Sequence, residues 1–328
     1  MCGIVGGTSE RNVLPILVEG LRRLEYRGYD SAGVAFKKND SISVVKNLGR
    51  VEQLAKKINL KNNSTNLGIA HTRWATHGVP SEKNAHPHNS KDIYVVHNGI
   101  IENHQDLRKK LEAKGIKFHS QTDTEVIAHL IQNYLEKGKS FEQAVIEASK
   151  ELKGAYALGI INKKDPEQLI GVRSKSPLVV GRGFQENFIA SDVMALAPVT
   201  NQFIYLEDGQ LAFLSKEKVM VKNPKNKIVR TKTHEVDSNS YTTDLAGYNH
   251  FMEKEIFEQP RAVKDAIEGR LTNKESQEGI FGAGFEKEIK DITNIQIVAC
   301  GTSYHSARIF EFWSHKFLGI NCRVDYGS

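Results

Sequence analysis

From residue 155 to residue 221 the chain breaks into short apolar runs separated by turn residues: Tyr156–Ile161, Gln168–Val172, Leu178–Val180, Phe188–Ala190, Phe203–Tyr205, Gln210–Phe213 and Val219–Val221. Runs of this length between polar and glycine-containing breaks predict β-strands. Closely spaced strands must pair into sheets, and a sheet buries its apolar face only against a second layer. That layer is available upstream. Leu14, Leu17, Val18, Leu21 and Leu24 recur at the spacing of one helical face, behind a candidate cap at Asn12 and ahead of Gly28. Helical periodicity returns at 51–58, 103–113, 124–135 and 141–152, the last stopped by Gly154. Between these lie strand-like runs at Ala32–Phe36, Ile42–Val45, Leu67–Ala70 and Ile93–Val96. The pattern is that of one mixed α and β unit of roughly 220 residues.

With 328 residues, 39% hydrophobic and 26% charged, the chain has the composition of a folded protein and more length than one compact domain needs. Residues 223–249 are polar and lack apolar periodicity, which predicts a linker. A second unit follows, with a helix near His250–Gln259 interrupted by Pro260 and resuming to Leu271. Ile295–Ala299 then reads as a buried strand, Cys300–Ser303 as its turn, 303–318 as a helix and Cys322–Asp325 as a strand, together one βαβ unit. A doubly wound sheet needs more strands than this, so the second domain is expected to be incomplete.

The formal charge of +6 is spread along the chain, and the locally basic stretch 216–232 has no aromatic residues interleaved as a nucleic-acid platform would. Nucleic-acid binding is not expected. The N-terminus has no basic and apolar leader, and no run of 18 apolar residues occurs, so a cytoplasmic location without membrane contact is the expectation. Cys2, Cys300 and Cys322 are an odd count at wide spacing, unlike a disulfide framework or a zinc site.

Removal of Met1 would leave the Cys2 thiol beside its own α-amine, whose ordinary pKa of about 7.7–8.0 suits a general base. From position alone, a small residue opening a strand is the simpler reading. Arg73, within Ala70–Gly78, is suited to clamp a carboxylate, or else to lie on the surface stacked against Trp74. Asn98 and the Gly99 N–H, where the run Ile93–Val96 ends, are suitable oxyanion donors, while Asn-Gly is equally a common turn. Asp123 stands in Thr122–Glu125, whose ends have capping-box spacing; its carboxylate is also suited to an ammonium. Six of the 12 histidines lie between His71 and His104, but not at a metal-motif spacing, and no metal or other cofactor is expected. Cys300–Ser303 between strand and helix can cradle a phosphate or serve as a turn with Ser303 as the cap.

Cys2–Gly6, Arg22–Gly33, His71–Gly78, Asn84–His88, Val96–Gly99 and Thr122–Glu125 together resemble the N-terminal-nucleophile (class II) glutamine amidotransferases. Within these, Glu25–Ala32 and Cys300–Ser303 are similar to the glutamine:fructose-6-phosphate aminotransferases and separate the chain from amidophosphoribosyltransferase and asparagine synthetase. The resemblance implies an α+β fold: a four-layer αββα sandwich over 2–222, the linker 223–249, and at 250–328 the start of a doubly wound α/β sugar-isomerase (SIS) domain. It implies that Cys2 attacks the glutamine amide, that Asn98 and Gly99 stabilise the oxyanion, and that Arg73 and Asp123 bind the glutamine carboxylate and ammonium. Thr76 and His77 would shape that pocket, Trp74 gate the passage of ammonia, Arg27 support the active-site loop, and Thr302 and Ser303 hold the sugar phosphate. The substrates implied are glutamine and fructose 6-phosphate, in a homodimeric longer protein that makes glucosamine 6-phosphate and glutamate for amino-sugar biosynthesis. Other residues of the sugar chemistry would lie beyond position 328, so this chain is expected to retain at most glutaminase activity. An amidotransferase serving another acceptor, and a catalytically silent sugar-phosphate sensor, are the competing readings.

Overall fold

The computed structural model describes residues 2–75, 78–236, 247–267, 271–272, 275–276 and 292–327. The chain divides into two compact units, Met1–Thr243 and Asp244–Ser328. In the first, β1 (Gly3–Ser9) leads into α1 (Leu14–Leu24), the hairpin of β2 (Ser31–Lys38) and β3 (Ser41–Leu48), α2 (Val51–Ile58) and β4 (Leu67–Arg73). Next come β5 (His88–Ser90), β6 (Ile93–Ile101), α3 (His104–Glu112), α4 (Glu125–Glu136) and α5 (Phe141–Glu151). The remaining strands are β7 (Gly154–Asn162), β8 (Asp165–Ser174), β9 (Val179–Gly183), β10 (Glu186–Ala190), β11 (Gln202–Tyr205), β12 (Leu211–Leu214), β13 (Val219–Lys222), β14 (Ile228–Val229) and β15 (His234–Glu235).

These strands form two sheets, ordered β15-β11-β9-β10-β1-β4-β2-β3 and β14-β13-β12-β8-β7-β6-β5. The predicted apolar stripe of α1 is buried along its length, and with Val51, Leu54 and Ile58 of α2 it covers the outer face of the larger sheet at Val34, Phe36, Phe188 and Phe203. Leu107, Val126, Ile131 and Phe141 from α3, α4 and α5 cover the outer face of the second sheet at Val95, Ile160, Ile170 and Phe213. The inner faces pack on each other through Ile4, Ile69, Val180 and Ile189 on one side and Val96, Ala157, Ile161 and Leu169 on the other. The result is the four-layer αββα sandwich, with alternate residues of each central strand serving two different cores. Asn12 does not occupy the cap position of α1; Val13 does, yet the Asn12 Oδ1 still accepts from the Leu14 N–H at 3.1 Å and also from Thr65 N–H at 3.0 Å.

Two short strands, β14 and β15, lie within the stretch read from sequence as linker. Each pairs at a sheet edge, with β13 and β11 respectively.

In the second unit, α6 (Phe251–Ile267) runs through Pro260 where the sequence predicted an interruption. A proline costs one amide donor and crowds one carbonyl of the preceding turn, a penalty that the largely exposed helix tolerates here. β16 (Leu271–Thr272) pairs with β17 (Glu275–Ser276). β18 (Asn294–Ala299), α7 (Gly301–Trp313) and β19 (Asn321–Tyr326) form a βαβ unit whose strands pair in parallel, from Asn294 opposite Asn321 to Ala299 opposite Tyr326. Its small core is Ala307, Cys322 and Val324. The helix starts at Gly301, so Thr302 and Ser303 belong to its first turn rather than to a preceding loop.

Ile189 projects between the sheets into the space left by Gly6, Gly159 and Gly171, where added Cβ atoms would stand 2.9, 3.0 and 3.2 Å from it. Ile189→Ala is expected to lower stability by about 2–5 kcal/mol, while Ile228→Ala, at an exposed edge position, changes it by less than about 0.5 kcal/mol. Urea denaturation of the two variants checks the difference.

Candidate active site

Antiparallel pairing sets Gly3 opposite Thr72 and Ser31 opposite Arg73, so the start of β1, the end of β4 and the start of β2 lie together. Cys2 immediately precedes β1. Its Sγ accepts from the Trp74 N–H at 3.2 Å and donates to the Trp74 carbonyl at 3.5 Å. Burial pushes the thiol up, opposed by the Trp74 backbone bond and the Arg73 guanidinium, with Asp30 adding to the upward shift.

The Trp74 segment is held from below. Asp30 N–H donates to the Arg73 carbonyl at 3.1 Å, and the Asp30 carboxylate accepts from the Ala75 N–H. Gly28 packs directly against this turn: a Cβ there would stand 2.8 Å from the Arg73 carbonyl carbon and 2.9 Å from the Trp74 nitrogen. Arg27 bonds the Asp192 carboxylate and, through Nε, the Tyr26 hydroxyl at 2.9 Å. Trp74 itself is half exposed, edge-on to Tyr29 with ring centroids 5.5 Å apart.

The second sheet supplies the opposite wall. β6 continues through Asn98 and Gly99 to Ile101, paired with β7, so Asn-Gly is not the turn that its composition permits. Gly99 adopts φ 120°, and an added Cβ would lie 2.0 Å from the Ala155 carbonyl oxygen; only glycine fits. Asn98 Nδ2 donates to the Cys2 carbonyl at 3.0 Å, across the two sheets. Its orientation follows from His71, whose Nε2 is 2.9 Å from the His97 carbonyl and 3.0 Å from Asn98 Oδ1. A backbone carbonyl only accepts, so Nε2 carries the proton and donates to Oδ1 as well, leaving the Asn98 NH2 turned toward Cys2.

Arg73 is only 3% exposed, which removes the surface alternative, and its Nη2 donates to the Gly78 carbonyl at 3.2 Å. Asp123 is also buried; its Oδ2 accepts from the Ile101 N–H at 2.8 Å and its Oδ1 lies 4.0 Å from His97 Nδ1. The capping box suggested by Thr122 and Glu125 does not form. α4 begins at Glu125, whose carboxylate instead accepts from His119 N–H at 2.8 Å, Ser120 N–H at 2.6 Å and Ser120 Oγ at 2.7 Å. Burial pushes the Glu125 carboxyl up, but hydrogen bonds from His129, Ser120 and the backbone outweigh it and bring it to about 2. Thr122 bonds His88 Nε2 at 3.1 Å, and Thr124 Oγ1 lies 2.8 Å from His86 Nε2 and 2.9 Å from His97 Nδ1.

Cys2, Arg73, Trp74, Gly99 and Asp123 line one cavity of about 20 Å³ with His86, His97, Thr122 and Thr124. That is room for about one water. Thr76 and His77 lie outside the described residues. Thr302 and Ser303 are exposed on the first turn of α7, in the second unit.

Sequence reasoning passed over His71, His86 and Asp30 as site residues. The His71 and His86 rings lie with centroids 4.1 Å apart, tilted by 32°, and His86 meets His88 edge-on at 4.9 Å. The signal for them was histidine density, which pointed to the question of a metal; among the described residues no group of His, Cys, Asp or Glu is arranged to hold one. Burial lowers His71 and His88 to about 3 and His86 well below its ordinary value.

An unfolded chain takes up these protons near the ordinary 6.5, whereas the folded rings resist until near 3. Their contribution is therefore complete above pH 6.5 and is lost as pH falls below it, at up to about 1.4 kcal/mol per pH unit for each ring. Urea midpoints are expected to fall between pH 7 and pH 5, before Glu125 is protonated; a flat profile over that interval contradicts the buried neutral cluster.

Residues 71–198 match the family described as glutamine amidotransferase domain. Over all 328 residues the chain is 49% identical to a glutamine–fructose-6-phosphate aminotransferase (isomerizing) of Acinetobacter baylyi, of which it covers 53%. A protein of the same description from Shigella flexneri is 46% identical over 329 aligned residues, 54% of its length. The chain spans about half the length of the curated relatives it matches. Among solved structures, the glutamine phosphoribosylpyrophosphate amidotransferase from B. subtilis, complexed with ADP and GMP, superposes with TM-score 0.64 at 20% identity, over 98% of this chain and 65% of that one. The allosteric regulatory enzyme of purine biosynthesis superposes with TM-score 0.57 at 24% identity, over 74% of this chain and 50% of that one. At these identities the two structures show the shared fold alone.

Proposed function

We propose, from the premise that residues 71–198 carry a glutamine amidotransferase domain, that this chain cleaves the side-chain amide of glutamine with Cys2 as nucleophile. The observation that carries the reading is the convergence of a thiol, a buried guanidinium and a buried carboxylate on one small cavity, beside a carboxamide fixed in orientation. Once the cavity widens beyond its room for about one water, Arg73 complements the α-carboxylate of glutamine and Asp123 its α-ammonium, which orients the substrate so that its amide carbon faces Cys2. After Met1 is removed, the freed Cys2 amine takes the thiol proton as Sγ attacks. Burial works against a free thiolate, so a base next to the thiol is what the site needs. Asn98 Nδ2 and the Gly99 N–H then meet the oxyanion, where such donors are worth about 3 kcal/mol. The C–N bond breaks, the amine returns its proton to the leaving ammonia, and water hydrolyses the thioester to glutamate.

Within a longer protein, the ammonia serves conversion of fructose 6-phosphate to glucosamine 6-phosphate. Supporting this are the similarity along the whole chain to aminotransferases of that description and the parallel βαβ start of a second unit, consistent with an SIS domain. The domain limits 2–222 and 250–328 belong to the same reading, as do Thr302 and Ser303 as phosphate ligands on the first turn of α7. So do Thr76 and His77 in the glutamine pocket, Trp74 as the gate for ammonia above Cys2, and Arg27 as the tie that steadies the adjoining turn. The longer protein is read as a cytoplasmic homodimer acting on small molecules, without nucleic acid or membrane.

Two variants test the assignment. Cys2→Ala is expected to abolish glutamine hydrolysis while leaving the unfolding transition in place. Arg73→Ala is expected to raise the KM for glutamine by about tenfold or more, since it removes a charge-assisted pair with the substrate. Steady-state glutamate release, with intact mass to show loss of Met1, checks both; activity in Cys2→Ala overturns the reading.

A further inference from the structure

A cleft of about 690 Å³ opens where β3, the outermost strand of the larger sheet, and β5, the outermost strand of the other, face α4 and the 114–120 connection. Its size falls in the range of small-molecule pockets, roughly 300–1,000 Å³. Ile116 apart, the side chains lining it are polar or charged, and five are lysines against two acids.

Both acids are already engaged. Glu136 is bonded to Lys91. Glu125 accepts from two backbone N–H groups and the Ser120 hydroxyl, and lies 3.4 Å from His129 Nε2. Lys46, Lys83 and Lys117 form no ion pair among the described residues, and Lys114 reaches only Asn133 Oδ1, at 3.4 Å. The wall behind them is fixed: His88, Ser90, Ser120, His129 and Gln132 are buried, with His129 Nδ1 2.8 Å from Ser90 Oγ.

Lys46 is the informative residue. It is half-buried on β3, and burial lowers its ammonium to about 8 despite the attraction of Glu125 and Glu82. A cation held from water without a close partner is costly unless something of opposite charge joins it. We infer that this cleft binds a small phosphate-bearing anion, with Lys46 at its base and Lys83, Lys114 and Lys117 around its rim. A phosphate offers several strong acceptors to ammonium donors, which matches a lining rich in donors and short of free acceptors. The site is separate from the Cys2 cavity, but the 119–125 segment forms part of both, with Ser120 and Glu125 on one side and Asp123 on the other. The inference does not depend on glutamine being the substrate of Cys2.

Calorimetric titration of the full chain with inorganic pyrophosphate near physiological salt tests it. Saturable binding with Kd below about 1 mM is expected. Lys46→Met should weaken it by about tenfold or more, and Lys117→Met, an exposed rim substitution that leaves the core untouched, by several-fold. The exposed control Lys225→Met, outside the cleft, should leave it within about twofold. Absence of saturation, or a loss in Lys117→Met and Lys46→Met no greater than in Lys225→Met, overturns the inference. Should Lys46→Met fail to fold, Lys83→Met combined with Lys117→Met gives the same decision.

Discussion

The hydrogen bond from Asn98 Nδ2 to the Cys2 carbonyl joins the two sheets at the mouth of the sandwich, and the site is arranged around it. Neither strand end brings the groups together alone. β1 delivers Cys2 beside Arg73 because Gly3 and Thr72 are paired neighbours; β6 delivers Asn98 and Gly99 from the other sheet. The apolar layer between the sheets, filled by residues such as Ile4, Val96 and Ile189, sets the distance over which they meet. A close-packed interior transmits that constraint, so a small change in sheet separation becomes a change in the gap between thiol and carboxamide.

Behind the contact stands a layer of imidazoles, of which burial holds His71 and His86 uncharged. His71 fixes Asn98, while His86 and His97 both lie against the Thr124 hydroxyl. Holding His71 and His86 uncharged suits the proposed function, because a buried cation behind Asn98 would compete with Arg73 for the carboxylate of glutamine. The segment from Ser120 to Glu125 is secured on both sides, by Glu125 folding back on 119–120 and by Asp123 accepting from Ile101, which places the Asp123 carboxylate at the cavity without help from a helix cap.

Much of this was legible from residue order. The α1 stripe of Leu14, Leu17, Val18, Leu21 and Leu24 faces the larger sheet, and the runs between 155 and 221 became strands, because apolar periodicity reports burial directly. β1 was harder to see. Its Gly3, Gly6 and Gly7 have little strand propensity, yet it is a central strand whose neighbours leave no room for a side chain at those three positions: a Cβ on Gly7 would lie 2.8 Å from the Phe188 ring. The capping-box signature at Thr122 and Glu125 failed for a related reason, since spacing says which partners are available and the tertiary fold supplied better ones. The histidines were visible as a cluster, but their role as a hydrogen-bonded scaffold depends on which strands face each other, and that is not a property of local sequence.

In the function proposed, Cys2, and neither of the other two thiols, is the group that attacks a glutamine amide. A diazoketone analogue of glutamine alkylates the thiol that would attack the substrate, and peptide mapping by mass spectrometry locates the adduct. One adduct per chain is expected, on an N-terminal peptide beginning at Cys2, with labelling suppressed by glutamine. An adduct on Cys300 or Cys322, or on a peptide that still begins with Met1, would contradict it.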